Sequence, residues 1–266
     1  MAKFKGKEGI DAAVKYFSAQ LHVMEEFIEH INDPKEMERA GAIFPLLMGI
    51  VTAGKATITL TKEKYATEAF VLARCFLERT VNYCYLMVAD EKEVKAFIDH
   101  GLQKGYRATS AKKRTFNSLG HEFKIHEPNK WLQTKIDNFT HKGRQTNWTS
   151  LSFNKRIEKL REYCEEFDLS FYGNLYEDGS DSAHGSFYGT LLHTGVLSEV
   201  STAGMGLQYI NVYITLTLCK LADLIMVAFK VTAEKIKYDL SQYLEKLDEN
   251  CKVVNAFFKQ MEAEQN

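Results

Sequence analysis

The chain has 266 residues, of which 45% are hydrophobic, 26% are charged and 3 are proline; this suits one compact domain or two small ones and excludes a disordered or collagen-like chain. Lys and Arg number 34 against 35 Asp and Glu, so the net charge by itself announces no nucleic-acid partner. The five cysteines, Cys75, Cys84, Cys164, Cys219 and Cys251, form no Cys-x-x-Cys pair and leave one odd, which fits reduced thiols and a cytoplasmic location better than a disulfide framework.

The N-terminal run Met-Ala-Lys-Phe-Lys-Gly-Lys is charged and has neither an apolar core nor a cleavage site, so no signal peptide is expected. Ile10, Val14, Phe17, Leu21, Met24, Ile28 and Ile31 follow in alternating steps of four and three, the seam of an amphipathic helix. It should stop near Asn32-Asp33-Pro34, because proline disfavours helix at the residue before it. Glu26, Glu29 and His30 lie mainly off the seam and read as a solvated charged face. A second helix over Lys35 to Leu60 should kink near Pro45. Tyr65 to Ala89 carries apolar residues around most of its circumference and should be central, and Glu91 to about Ser118 is a more polar helix.

The most apolar stretch, Gly206 to Val231, contains Lys220 and Asp223 near its middle. Each would cost about 2.5–3.5 kcal/mol at a bilayer centre, so the stretch reads as a buried helix and no membrane partner is expected. Leu240, Leu244, Leu247, Cys251, Val254, Phe258 and Met261 repeat the four-three stripe of the first helix. The two terminal stripes must be covered, either by packing within the chain or as the seam of a homodimer. No segment shows clean alternation or an Asn-Gly hairpin turn. The expected fold is all-α: a single helical bundle over 1–266 with long central helices and amphipathic terminal helices.

Residues 101–161 differ in charge from the rest. They hold 14 Lys and Arg against four acids, a balance of +10, which leaves −11 elsewhere. Both tryptophans fall inside this basic, partly irregular excursion. Lys112, Lys113, Arg114 and Arg144 could neutralise phosphates while Trp131, Trp148, Phe116 or Tyr106 stack on unpaired bases. The alternative is a solvated face paired with the acidic remainder or with a second subunit.

Several specific motifs are missing. Glu-x-x-His occurs nowhere, nor does His-Glu-x-x-His or the phosphate-binding Gly-x-x-x-x-Gly-Lys-Ser/Thr, so no metal and no cofactor are expected. Arg114 and His121 have the spacing of some helical ribonucleases, but Gly120 argues against a continuous helix between them. Two pairs are more informative. Arg74 and Glu78 share one face of an otherwise apolar helix, where guanidinium and carboxylate can meet; Arg79 points about 100° away and should reach solvent. Ser180 and His184 are also four apart, Asp178 or Ser180 could cap a helix there, and Asp181 could instead orient the imidazole.

Taken together, Arg74-Cys-Phe-Leu-Glu78, Trp148-Thr-Ser-Leu-Ser152, and Tyr172 and Tyr176 leading into Ser180-Asp-Ser-Ala-His184-Gly185-Ser186 resemble the uncharacterised bacterial family catalogued as domain of unknown function 5677. The resemblance covers roughly residues 40–230 and leaves the terminal helices outside. It implies an all-helical fold and supplies no reaction. The positions it carries over are Arg74, Glu78, Trp148, Ser152, Tyr176, Ser180, His184 and Gly185. Thr149-Ser150 stand where Ser-Gly is expected after the tryptophan, a departure that concerns the local turn.

Two readings of these residues follow. In one, Arg74, Glu78, Ser180 and His184 form a buried polar network that locks two helices together. In the other they line a pocket in which His184 moves a proton, Ser180 or Asp181 orients it, Arg74 grips an anionic group and Glu78 holds Arg74. The function expected first is a module that binds an anionic ligand, a nucleic acid or a nucleotide, within a larger complex. The alternatives are a ribonuclease-like hydrolase using His184 and Arg74, and a dimeric interaction scaffold.

Overall fold

A computed structural model describes residues 7–30, 38–125, 127–141, 144–145, 147–167, 169–184, 203–236 and 238–263. Among these the chain forms α1 (Lys7–His30), α2 (Glu38–Lys62), α3 (Ala66–Val88), α4 (Glu91–Ser118) and α5 (Lys130–Asn138). A two-residue hairpin, β1 (Thr140–His141) and β2 (Arg144–Gln145), precedes α6 (Phe153–Arg161), α7 (Leu169–Ala183), α8 (Ala203–Lys235) and α9 (Ser241–Ala263). The fold is all-α, as the periodicities require. It divides into two compact units, residues 1–88 with 153–266, and residues 89–152. The basic excursion expected over 101–161 therefore extends back to the start of α4, while α6 belongs to the first unit.

In the first unit α3 is the central helix. Phe70, Ala73, Phe76, Leu77, Val81 and Cys84 through Met87 are all buried, and α2, α6, α7 and α8 pack around it. Burying a side chain of this size stabilises by about 1.5–3 kcal/mol, which makes α3 the main contributor to the core. Two arginines tie α2 to α3 through main-chain carbonyls. Arg39 Nη1 donates to Met87 O at 2.8 Å, satisfying a carbonyl at the end of α3. Arg79 Nη1 donates to Gly49 O at 2.6 Å. The expectation that Arg79 reaches solvent is therefore corrected: its side chain crosses to α2, where glycine leaves room for it. Pro45 lies inside α2 and removes one hydrogen bond of its ladder.

The terminal stripes meet within the chain. Val14, Phe17, Leu21, Met24 and Ile28 on α1 and Leu240, Leu247, Val254, Phe258 and Met261 on the C-terminal side are buried, and α1 packs on α2, α8 and α9. Phe27 stacks its edge on Tyr243 at 5.5 Å and lies 5.0 Å from Phe229. Polar groups close the joint: Tyr16 Oη donates to Asp223 Oδ1 at 2.7 Å, Gln20 Nε2 to Leu247 O at 3.2 Å and Asn250 Nδ2 to Gln20 Oε1 at 3.1 Å. Burial raises the Asp223 carboxyl above its ordinary pKa, and the Tyr16 hydrogen bond works the other way. Ile31 lies outside the described residues.

Among the described residues two segments, Ile43–Lys62 and Ile210–Lys235, are long and apolar enough to cross a membrane by length and composition, with mean hydropathies of 1.6 and 1.8. Of their apolar windows, 44% and 61% are buried against the rest of the fold. The second includes Asp223, paired with Tyr16, as a core helix of a bundle does.

The second unit is built on α4. Asp90 caps it by accepting from Glu93 N at 2.8 Å, and Asn129 caps α5 by accepting from Leu132 N at 2.9 Å. The two helices are joined by Lys135 and Asp99, 2.5 Å apart and each 13% exposed, and by His100 against Phe139 at 5.3 Å. All the buried residues of α4, Val94, Asp99, His100 and Gln103, lie in its first half. From Lys104 to Ser118 no residue is buried.

Candidate functional site

In the first unit α3 and α7 cross at Gly179. A Cβ added there would stand 2.5 Å from Arg74 Cβ and 3.1 Å from Phe70 O, so only glycine allows this approach. The Arg74 stem lies against α7, and its guanidinium carbon sits 4.6 Å from the centre of the Tyr176 ring. Nη2 donates to Tyr176 Oη at 3.3 Å. Glu78 Oε2 is 3.9 Å from Nη2, an ion pair beyond hydrogen-bond reach. Tyr176 in turn stacks on Phe153 at 4.2 Å and 13°. Arg156, one turn further along α6, lies 6.0 Å from the Phe153 ring and is 7% exposed. Burial lowers the Arg156 pKa, while the Glu78 carboxylate favours its charged form. One carboxylate thus acts on two arginines across a stacked aromatic pair, a joint that fixes α3, α6 and α7.

Two tyrosine hydrogen bonds link α7 to α8. Tyr172 Oη donates to Lys220 O at 3.2 Å, and Tyr213 Oη to Asp178 Oδ2 at 2.5 Å. Phe70 stacks on Tyr213 at 4.8 Å. Burial raises the Asp178 pKa, the Tyr213 hydrogen bond opposes it, and the charges of Asp181 and Glu177 add to it. Asp178 and Ser180 do not cap a helix, because α7 already begins at Leu169 and both lie towards its end. Ser180 and His184 are linked through the main chain, His184 N donating to Ser180 O at 3.0 Å. His184 is exposed, and Asp181 is half-buried.

The structure thus gathers Arg74, Glu78 and Tyr176, with Ser180 one turn beyond Tyr176. His184 follows Tyr176 by eight residues, which is ~12 Å along a helix axis. The Arg74 guanidinium is engaged at Tyr176, two turns before the histidine. Arg156, Phe153, Gly179 and Tyr213 are the members that the motif reading missed. The spacing of Phe153 and Arg156 and a glycine inside a helix were their only signals. Gly185 and Ser186 lie outside the described residues. Among the described residues no group of three His, Cys, Asp or Glu could hold a metal ion.

In the second unit, Lys112 and Arg114 are exposed and Lys113 is half-buried on the outer half of α4. From Gly101 to His121 there are five Lys or Arg and no acid. The helix ends in a Schellman turn: Gly120, at φ +80°, follows Leu119, His121 N donates to Phe116 O at 2.9 Å and Gly120 N to Asn117 O at 3.1 Å. The turn carries the chain back so that Phe123 stacks on Phe116 at 5.4 Å and 16°. Asn117 Oδ1 holds that return by accepting from Phe123 N at 3.2 Å. Phe116 is 43% and Trp131 58% exposed, and Lys135 Nζ stands 5.7 Å over the Trp131 ring. Trp148 instead packs edge-on against Phe97 at 5.1 Å, half-buried in the unit. The main chain at Arg144 pairs with His141 in the hairpin.

No curated protein and no solved structure matches the sequence. The model of the family of unknown function DUF5677 matches residues 41–199, from α2 past the end of α7. That span holds the Arg74–Tyr176 joint and the whole second unit, and the chain belongs to this family.

Proposed function

We propose that the protein is a helical module that binds an anionic ligand, a nucleic acid, through phosphates seated on the outer half of α4. The observation that carries this reading is the union of charge and exposure. Lys104, Arg107, Lys112, Lys113 and Arg114 occupy a stretch without acids, in which no side chain is buried. Clustered cations on a helical stretch with no acid and no buried side chain are the footprint of phosphate-backbone binding. The five cysteines are free thiols, which supports a reducing, cytoplasmic setting.

The hydrolase alternative asks His184 and Arg74 to act on one phosphate. The engagement of the Arg74 guanidinium with Tyr176, eight residues before His184 on α7, favours a structural role for that cluster.

The test is binding of a labelled single-stranded oligonucleotide at 50 and 300 mM salt. Three phosphate contacts correspond to an affinity loss of about 40-fold across that range. Lys112→Glu with Lys113→Glu should weaken binding and flatten the salt slope by about 1.4. Absence of binding at 50 mM, or affinity that ignores salt, refutes the proposal.

A further inference from the structure

We infer that the end of α4 is a base-stacking platform that makes the module selective for single-stranded over duplex nucleic acid; the inference rests on the backbone reading above. Phe116 and Phe123 form a parallel pair, 5.4 Å apart and tilted by 16°. The pair is not a chance contact of mobile rings. Both hydrogen bonds of the Schellman turn anchor it, with His121 N on Phe116 O and Gly120 N on Asn117 O, and Asn117 Oδ1 receives Phe123 N. The His121 ring adds an edge at 6.4 Å from Phe116. A large aromatic surface is thus held in place yet 43% exposed at Phe116, whereas Phe97 and Trp148 of the same unit pack edge-on against each other and are half-buried.

The charges around it have the matching order. Lys112 precedes Phe116 by four residues and shares its face of the helix. Lys113 stands on the adjacent face, and Arg114, 200° round from Lys112, lies on the far side. The carbonyl end of a helix carries about half a negative charge, so phosphates are disfavoured at the cap itself and favoured one turn back, on the lysines. An uncharged base has no such penalty and offers a π face to Phe116. The site therefore reads phosphate on Lys112 and Lys113, then base on Phe116. In a duplex the base faces are already stacked on one another and cannot reach the platform.

The experiment compares oligo-dT, oligo-U and a blunt DNA duplex of equal length, about ten nucleotides, at 50 mM salt, for the wild type, Phe116→Ala and Phe116→Trp. Both single strands should bind more tightly than the duplex. Phe116→Ala should lose about 5- to 150-fold for single strands while leaving duplex affinity unchanged. Phe116→Trp should restore the affinity, and its added fluorescence should be quenched on binding, which a merely structural role of Phe116 would not produce. If single strand and duplex bind alike and Phe116→Ala changes neither, the platform is overturned while salt-dependent backbone binding stands. If no oligonucleotide binds, both fail. If the wild type sediments as a dimer that Phe116→Ala dissociates, with no oligonucleotide bound, the stack is a protein contact and both are overturned.

Discussion

Gly179→Ala tests the close crossing of α3 and α7. The new methyl would meet Arg74 Cβ at 2.5 Å and Phe70 O at 3.1 Å, where carbon atoms normally rest at about 3.5–4.0 Å. Neither neighbour can rotate away, because one is the root of a side chain and the other is backbone. The helices must separate, and overpacking of this kind costs about 1–3 kcal/mol or more. Against that, alanine is favoured over glycine inside a helix by about 0.8–1.0 kcal/mol. The net expectation is destabilisation by up to about 2 kcal/mol. Gly173→Ala, on the same helix, is the internal control: its Cβ would find only Asn154 Oδ1 at 3.6 Å, an ordinary contact. It should stabilise by up to about 1 kcal/mol. For a unit built from residues 1–88 and 153–266, each kcal/mol moves Tm by about 2–4 °C. Thermal unfolding followed by circular dichroism should therefore separate the two variants by up to about 12 °C, with Gly179→Ala the lower. Equal melting temperatures, or a more stable Gly179→Ala, would refute the crossing geometry and the placement of Arg74 that depends on it.

Leu247, fully buried in the helix that packs on α1, should lose about 2–5 kcal/mol on replacement by alanine. Because the stripe is covered within the chain, the wild-type Tm should not rise with protein concentration, and a rise would relocate the seam to an interface between chains. Glu166 accepts from Cys164 Sγ at 2.6 Å and pairs with Lys230, and these hydrogen bonds hold its carboxyl down to about 2 from the ordinary 4.5. The folded state then binds fewer protons than the unfolded, so this group's stabilisation is complete above pH 4.5 and is lost as pH falls towards 2. Glu166→Gln should flatten the acid limb of a Tm–pH curve, and an unchanged limb would remove the linkage. Asp223 has the opposite sign, since burial raises it, and ionising it with rising pH costs stability. At pH 7 Asp223→Asn should be neutral or stabilising, whereas Asp223→Ala should cost about 1–3 kcal/mol by leaving the Tyr16 hydroxyl without its acceptor; denaturant melts in which both substitutions cost the same would contradict this.

Much of the fold is written in local periodicity. The four-three steps of α1 and α9, the nearly all-apolar circumference of α3 and the long apolar α8 identify their elements because each pattern has one solution that buries it. The segregation of charge along the chain is equally legible, being a property of composition. Arg79 shows where such reasoning stops. Its angle on α3 is correct from residue spacing, yet its destination depends on a glycine of α2 thirty residues away. The candidate cluster behaves in the same way. Arg74 and Glu78 are neighbours by helical spacing, but their joint with Arg156, Phe153 and Gly179 needs three helices brought together in space. Ser180 and His184 share a spacing that suggests partnership, and the end of α7 leaves the histidine exposed and two turns from Tyr176.

What the sequence determined by itself is therefore the all-helical class, the burial of the terminal stripes and the existence of a basic stretch. Each depends on interactions within a few turns of one helix or on a count of residues. Only tertiary structure decided that the terminal stripes meet within one chain, that Arg74 is engaged with an aromatic stack, and that Phe116 is left exposed one turn beyond the exposed Lys112. Those outcomes depend on which faces other elements cover, and coverage is a property of the packed chain that no single segment encodes.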